Sequence, residues 1–137
     1  MKKYLLAVAV LCVATNFATP AFAFKQLADQ FKANYAGEKA NADFKKLVTD
    51  AKCYVCHVKG ESKKKRNPYG DALHELIEDT KFPIKDYKKD SKNEKYIAQL
   101  KQIFKKLEGM ESGDKEHKTF ADRMKADLLP GGDKEGK

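Results

Sequence analysis

The chain has 137 residues, 35% of them charged, with 28 Lys+Arg against 20 Asp+Glu and a formal net charge of +8. That length suits one compact domain, and the positive excess calls for an anionic complement. No apolar run approaches the roughly twenty residues that a membrane-spanning helix needs.

The first segment, 1–23, has the three parts of a secretory signal peptide. Met1-Lys2-Lys3 is basic, Leu5 to Ala14 is apolar, and Ala21-Phe22-Ala23 ends it with small residues at the expected spacing. Leu11 before Cys12 argues against a lipoprotein signal, so cleavage is expected after Ala23 and the mature chain begins at Phe24. Lys2 and Lys3 then leave with no acid, which lowers the net charge to +6. Export to the periplasm removes cytoplasmic nucleic acid as the complement and leaves an acidic protein surface or an anionic cofactor. Cys12 leaves as well, so the mature chain keeps Cys53 and Cys56 in a compartment that tends to oxidise free thiols.

Residues 24–129 read as one all-α domain, because helical spacing recurs five times and no period-two pattern persists. The first helix spans Lys25 to Tyr35 with Leu27, Phe31 and Tyr35 on one face. The second starts after Asn41 as cap, carries Phe44, Leu47, Val48 and Ala51 on one stripe, and runs into Cys53. A hydrophilic loop from Lys59 to Arg66 follows. Asn67 caps a third helix, Pro68 fits its first position, and Tyr69, Ala72, Leu73, Leu76 and Ile77 form its apolar face. From Asp79 to Asp90 the chain is expected to be loose, with Pro83 as a breaker. A long helix from Ser91 to Glu108 has capping-box spacing in Ser91-Lys92-Asn93-Glu94 and a stop at Gly109. The last, short helix is capped by Thr119, with Phe120, Met124 and Leu128 on one side. The Gly- and Lys-rich segment 130–137 is expected to be a flexible tail.

The chemistry concentrates in Lys52-Cys53-Tyr54-Val55-Cys56-His57-Val58. A structural zinc site needs four donors, and His57, His74 and His117 give no usual His pair to complete it. A redox dithiol of the thioredoxin kind belongs beside a βαβ pattern. A disulfide across two residues closes a very small loop and stabilises little through chain entropy. Haem attachment gives the pattern a mechanical reason. Two thiols on one turn each form a thioether with a haem vinyl, and the adjoining His lies under the iron as its proximal ligand. One covalent haem c on Cys53, Cys56 and His57 is the expected cofactor. It also supplies a flat apolar centre against which Phe31, Phe44, Leu73, Tyr96, Leu100 and Phe104 are expected to pack.

The helix leading into Cys53-Tyr54-Val55-Cys56-His57, the lysine-rich loop and Asn67-Pro68-Tyr69-Gly70 together resemble the small single-haem, class I c-type cytochromes. The run Lys65 to Gly70, with Thr119 to Arg123 and Leu129-Pro130-Gly131-Gly132, looks closer still to small exported cytochromes of planctomycete-type bacteria. These segments cover less than a third of the mature chain. The resemblance implies an all-α cytochrome fold wrapped around the haem, and it assigns Pro68 the carbonyl that accepts from the proximal imidazole N–H. The chain departs from class I by an extra helix before the usual first one and by a short last helix.

The sixth iron position has several contenders. Met110 sits just past Gly109, where class I cytochromes place their axial methionine, and the resemblance makes it the distal ligand. Met124 falls in the Phe120/Leu128 stripe and reads as core, His74 lies well off the apolar face of its helix and reads as exposed, and His117 sits in a polar loop. A methionine on the iron suits an electron carrier exchanging electrons with periplasmic redox proteins, whereas an open position admits small ligands or peroxide. The carrier, not an enzyme, is the function expected, with an open-site haem protein as the alternative. Lys63-Lys64-Lys65-Arg66 then gives acidic redox partners a docking charge.

Overall fold

A computed structural model describes residues 25–137; the expected signal peptide, its expected cleavage point and Cys12 lie outside the described residues. The described chain forms α1 (Lys25–Tyr35), α2 (Ala42–Ala51), a 3-10 turn (Lys52–Val55), α3 (Pro68–Asp79), α4 (Ile84–Lys89), α5 (Glu94–Glu108) and α6 (Phe120–Lys125). Extended pairing among the described residues is limited to two isolated bridges, His57 with Arg66 and Glu111 with Thr119. The all-α expectation holds.

Local chemistry explains most boundaries. Asn41 caps α2 by accepting from the Asp43 N–H, and Asn67 caps α3 by accepting from the Gly70 N–H, with Pro68 in the first turn where its missing N–H costs nothing. Thr119 and Asp122 form a reciprocal capping box on α6.

Several expectations change. Asp79 to Asp90 is not loose: Pro83 initiates α4 instead of breaking a helix, because Ile84 and Tyr87, three apart, turn one face inward. The Tyr87 hydroxyl then donates to the Gln26 carbonyl at 3.2 Å and ties α4 to α1. The long helix is capped by Asn93, not Ser91, since a turn closed by the Asn93 N–H on the Asp90 carbonyl takes up the intervening residues. Leu128 is exposed and Leu129 is buried in its place, because α6 ends at Lys125 and Asp127 adopts a left-handed φ of 58° that shifts the phase of the chain.

The core lies where α1, α3, α5 and α6 meet. Phe31 makes edge-on contacts with Tyr69 (5.6 Å between ring centroids) and Phe104 (6.4 Å), and Tyr69 meets Phe120 at 5.1 Å. Such pairs add about 0.5–1.5 kcal/mol each beyond the area they bury. The Tyr35 hydroxyl donates to the Glu108 carboxylate at 3.0 Å, closing α1 on the end of α5.

The tail, expected to be frayed, is folded back onto the domain. Leu129, Pro130, Gly131 and Gly136 are buried. The Arg123 guanidinium donates to the carbonyls of Leu129 (2.8 Å) and Gly132 (3.1 Å) and pairs with Asp114. These contacts satisfy backbone carbonyls that a loose tail leaves to water.

Candidate functional site

At the end of α2 the buried Ala51 delivers the chain into Lys52, whose φ of 51° is left-handed and unusual for a residue with a side chain. That twist starts the 3-10 turn. The Cys53 carbonyl accepts from the N–H groups of both Cys56 (3.2 Å) and His57 (3.1 Å), so one tight turn gathers the two thiols and the imidazole. Both cysteines are free thiols, Cys53 exposed and Cys56 partly buried. Burial, then the neighbouring Cys53, pushes the Cys56 thiol up to about 12, against the opposing pull of Arg66.

The loop after the motif doubles back. The Val58 N–H bonds to the Lys65 carbonyl (3.3 Å), and the same carbonyl lies 3.4 Å from Nδ1 of His57. In that arrangement Nδ1 carries the proton and Nε2 keeps its lone pair. Burial holds the His57 imidazole below its ordinary value, opposed by the Lys65 carbonyl and assisted by the charges of Arg66 and Lys63. The carbonyl at Nδ1 is therefore that of Lys65 and not of Pro68. Pro68 is the first residue of α3, and its carbonyl points along the helix.

Asn67 fastens the motif to α3. Its Nδ2 donates to the carbonyls of Tyr54 (3.2 Å) and Val55 (3.0 Å), its Oδ1 accepts from the Gly70 N–H (2.9 Å), and its own N–H bonds to the Cys56 carbonyl (3.0 Å). A Cβ at Gly70 would sit 2.0 Å from that same Cys56 carbonyl, so only glycine lets α3 approach the motif this closely. From the other side the tail closes in. The Lys59 N–H bonds to the Glu135 carbonyl at 2.8 Å, and a Cβ at Gly136 would lie 2.0 Å from the His57 carbonyl.

In front of the motif lies a partly open cleft with a cavity volume of ≈ 50 Å³. It is lined by Leu27 and Ala28 of α1, by Gly70, Leu73, His74 and Ile77 of α3, and by Lys52, Cys53, Cys56, His57 and Arg66. The Arg66 guanidinium is 17% exposed and lies 3.8 Å from Asp71, apart from the exposed Lys63, Lys64 and Lys65. Of the residues expected to pack on a cofactor, Leu73 lines the cleft, while Phe31, Phe44, Leu100 and Phe104 belong to the protein core. Met110 is not among the lining residues. Its N–H bonds to the Leu107 carbonyl and its carbonyl accepts from the Phe120 N–H, with the side chain packed on the core. Met124 lines a separate groove between α2 and α6, and His117 pairs with Asp114 at 3.5 Å.

His74 reverses its expectation: its side chain is 20% exposed and lines the cleft. The signal for this was Gly70. A glycine inside α3 marks a close approach, and Gly70, Leu73, His74 and Ile77 follow from it at i, i+3, i+4 and i+7, a second stripe beside the core face.

The donor set fits a covalently held haem: two unpaired thiols and an imidazole with an anchored Nδ1, all beside a largely apolar cleft with one guanidinium. Among the described residues no group of three or more His, Cys, Asp or Glu side chains converges as a metal site. No helix among the described residues is long and apolar enough to cross a membrane. Comparison with protein-family models, with curated proteins and with solved structures returns no match to the chain.

Proposed function

We propose that the protein is an exported c-type cytochrome that carries electrons between periplasmic redox partners, with one haem attached to Cys53 and Cys56 and His57 as its proximal ligand. The observation that carries this reading is the single turn that presents both free thiols and an imidazole with its Nδ1 held by the Lys65 carbonyl to one apolar cleft. A bound haem supplies one-electron cycling of its iron between ferric and ferrous forms. The protein's part is to hold and shield. The Lys65 carbonyl holds the proton on Nδ1 of His57 and so leaves Nε2 with the lone pair a ligand needs. Arg66 offers a half-buried positive charge suited to a propionate, and Leu27, Leu73 and Ile77 keep water from one face. The signal-like segment 1–23 supports export, where such attachment takes place.

The test is expression with a cytochrome c maturation system, followed by denaturation and intact-mass measurement. The processed chain is expected to carry the mass of one haem, retained in denaturant and absent from the Cys53→Ala/Cys56→Ala double variant. A matured, exported chain without covalent haem overturns the proposal. Carbon monoxide binding by the untreated ferrous protein turns the reading toward an open-site haem protein instead of a carrier.

A further inference from the structure

The geometry points to His74 as the second axial ligand of the iron, giving a pair of imidazoles where the sequence suggests His and Met. This rests on the haem reading above. The cleft is lined by the motif with His57 and by the α3 stripe that includes His74. A ligand on the open side of an iron held by His57 has to come from a residue that faces this space. His74 faces it, whereas Met110 is packed on the core between α5 and α6, with backbone bonds on both sides of it. Met124 and His117 face other parts of the molecule.

His74 also has a partly exposed carboxylate beside it. Its Nε2 lies 3.5 Å from a Glu78 carboxylate whose side chain is 57% exposed. Gly70, one turn earlier, sets how closely this face approaches the motif, because any side chain there meets the Cys56 backbone.

The experiment uses the matured, haem-loaded protein and reads spectra, not activity. The ferric protein is expected to be low-spin, with the near-infrared magnetic circular dichroism of two imidazoles and no methionine–iron charge-transfer band. His74→Ala is expected to become high-spin, to bind carbon monoxide when reduced, and to recover the low-spin spectrum when free imidazole is added. Met110→Ala is expected to change none of these. Should His74→Ala fail to fold, the native protein's near-infrared signature and the appearance of a methionine band in His74→Met decide the matter. A native methionine band lost in Met110→Ala overturns the assignment and leaves the haem reading intact. So does a native iron that binds carbon monoxide freely, or a two-imidazole spectrum that survives His74→Ala and disappears in His117→Ala. A matured chain with no covalent haem overturns the haem reading itself, and this inference with it.

Discussion

Cys53 and Cys56 are the same residue type two positions apart, yet the fold gives them different chemistry. Cys53 is exposed, while burial holds the Cys56 thiol at about 12, well above the ordinary 9.0. Only the thiolate is an effective nucleophile, so in the folded, haem-free protein Cys56 is both shielded and protonated at neutral pH. Brief iodoacetamide treatment at pH 8 is expected to label Cys53 at least about tenfold faster than Cys56, with the two rates converging in urea. Peptide mapping by mass spectrometry checks this, and equal labelling of the folded protein would falsify it. The same shift sets a pH limit. A thiol raised on folding contributes stability below its unfolded value, so the haem-free protein is expected to weaken as pH rises from 9.0 toward about 12. For the haem reading the consequence is kinetic: the bond to Cys56 has to form before the fold closes around it, or during an opening of it.

At the scale of elements, the sequence was most legible where one local rule acts alone. Asn41, Asn67 with Pro68, and Thr119 mark the starts of α2, α3 and α6 because a cap is decided by neighbours two or three positions away. Legibility failed where distant contacts decide. Pro83 can end or begin a helix, and only the burial of Tyr87 against α1 selects the second. The carbonyl at His57 Nδ1 and the placing of His74 depend on how the 58–66 loop and α3 fold over the motif, which spacing does not record. The tail is the clearest case. Gly131, Gly132 and Gly136 read as slack, yet Gly131 and Gly136 allow the backbone to pass against Asn67 and His57. Arg123 holds this strap, and its loss removes two hydrogen bonds to carbonyls at 2.8 and 3.1 Å. Arg123→Met is expected to cost about 2–3 kcal/mol, since hydrogen bonds from a charged donor contribute about 1.5–3 kcal/mol apiece and part of the loss is recovered by hydration. Hydrogen exchange should localise the effect, with faster exchange at Lys59 and across 129–137 and little change in α5. Uniform loss of protection throughout the molecule would instead make the tail part of one cooperative unit.

For the molecule as a whole, charge and site are arranged asymmetrically. Lys63, Lys64 and Lys65 stand exposed on a loop whose base is pinned to the motif by the His57–Arg66 bridge and the Val58–Lys65 hydrogen bond. Lys63 lies near enough to His57 for its charge to act on the imidazole, while the Arg66 guanidinium, next in the chain after the three lysines, lines the cleft. The distinction matters for a test of partner steering. Replacing all four residues disturbs the cleft together with the surface; replacing only the three lysines leaves Arg66 and Asp71 in place. If the protein docks acidic redox partners through this loop, the Lys63→Gln/Lys64→Gln/Lys65→Gln variant is expected to transfer electrons to an acidic acceptor roughly tenfold more slowly at about 10 mM salt, where the Debye length is about 30 Å. At 1 M salt, with a Debye length of about 3 Å, the two rates should meet. Stopped-flow measurements across that range, using the haem-loaded protein, separate the cases. The Lys65 backbone carbonyl survives the substitution, so the anchoring of His57 and the absorption spectrum should stay unchanged. A slowing that persists at 1 M salt would place the lysines in the transfer step or in the support of the site, not in long-range attraction.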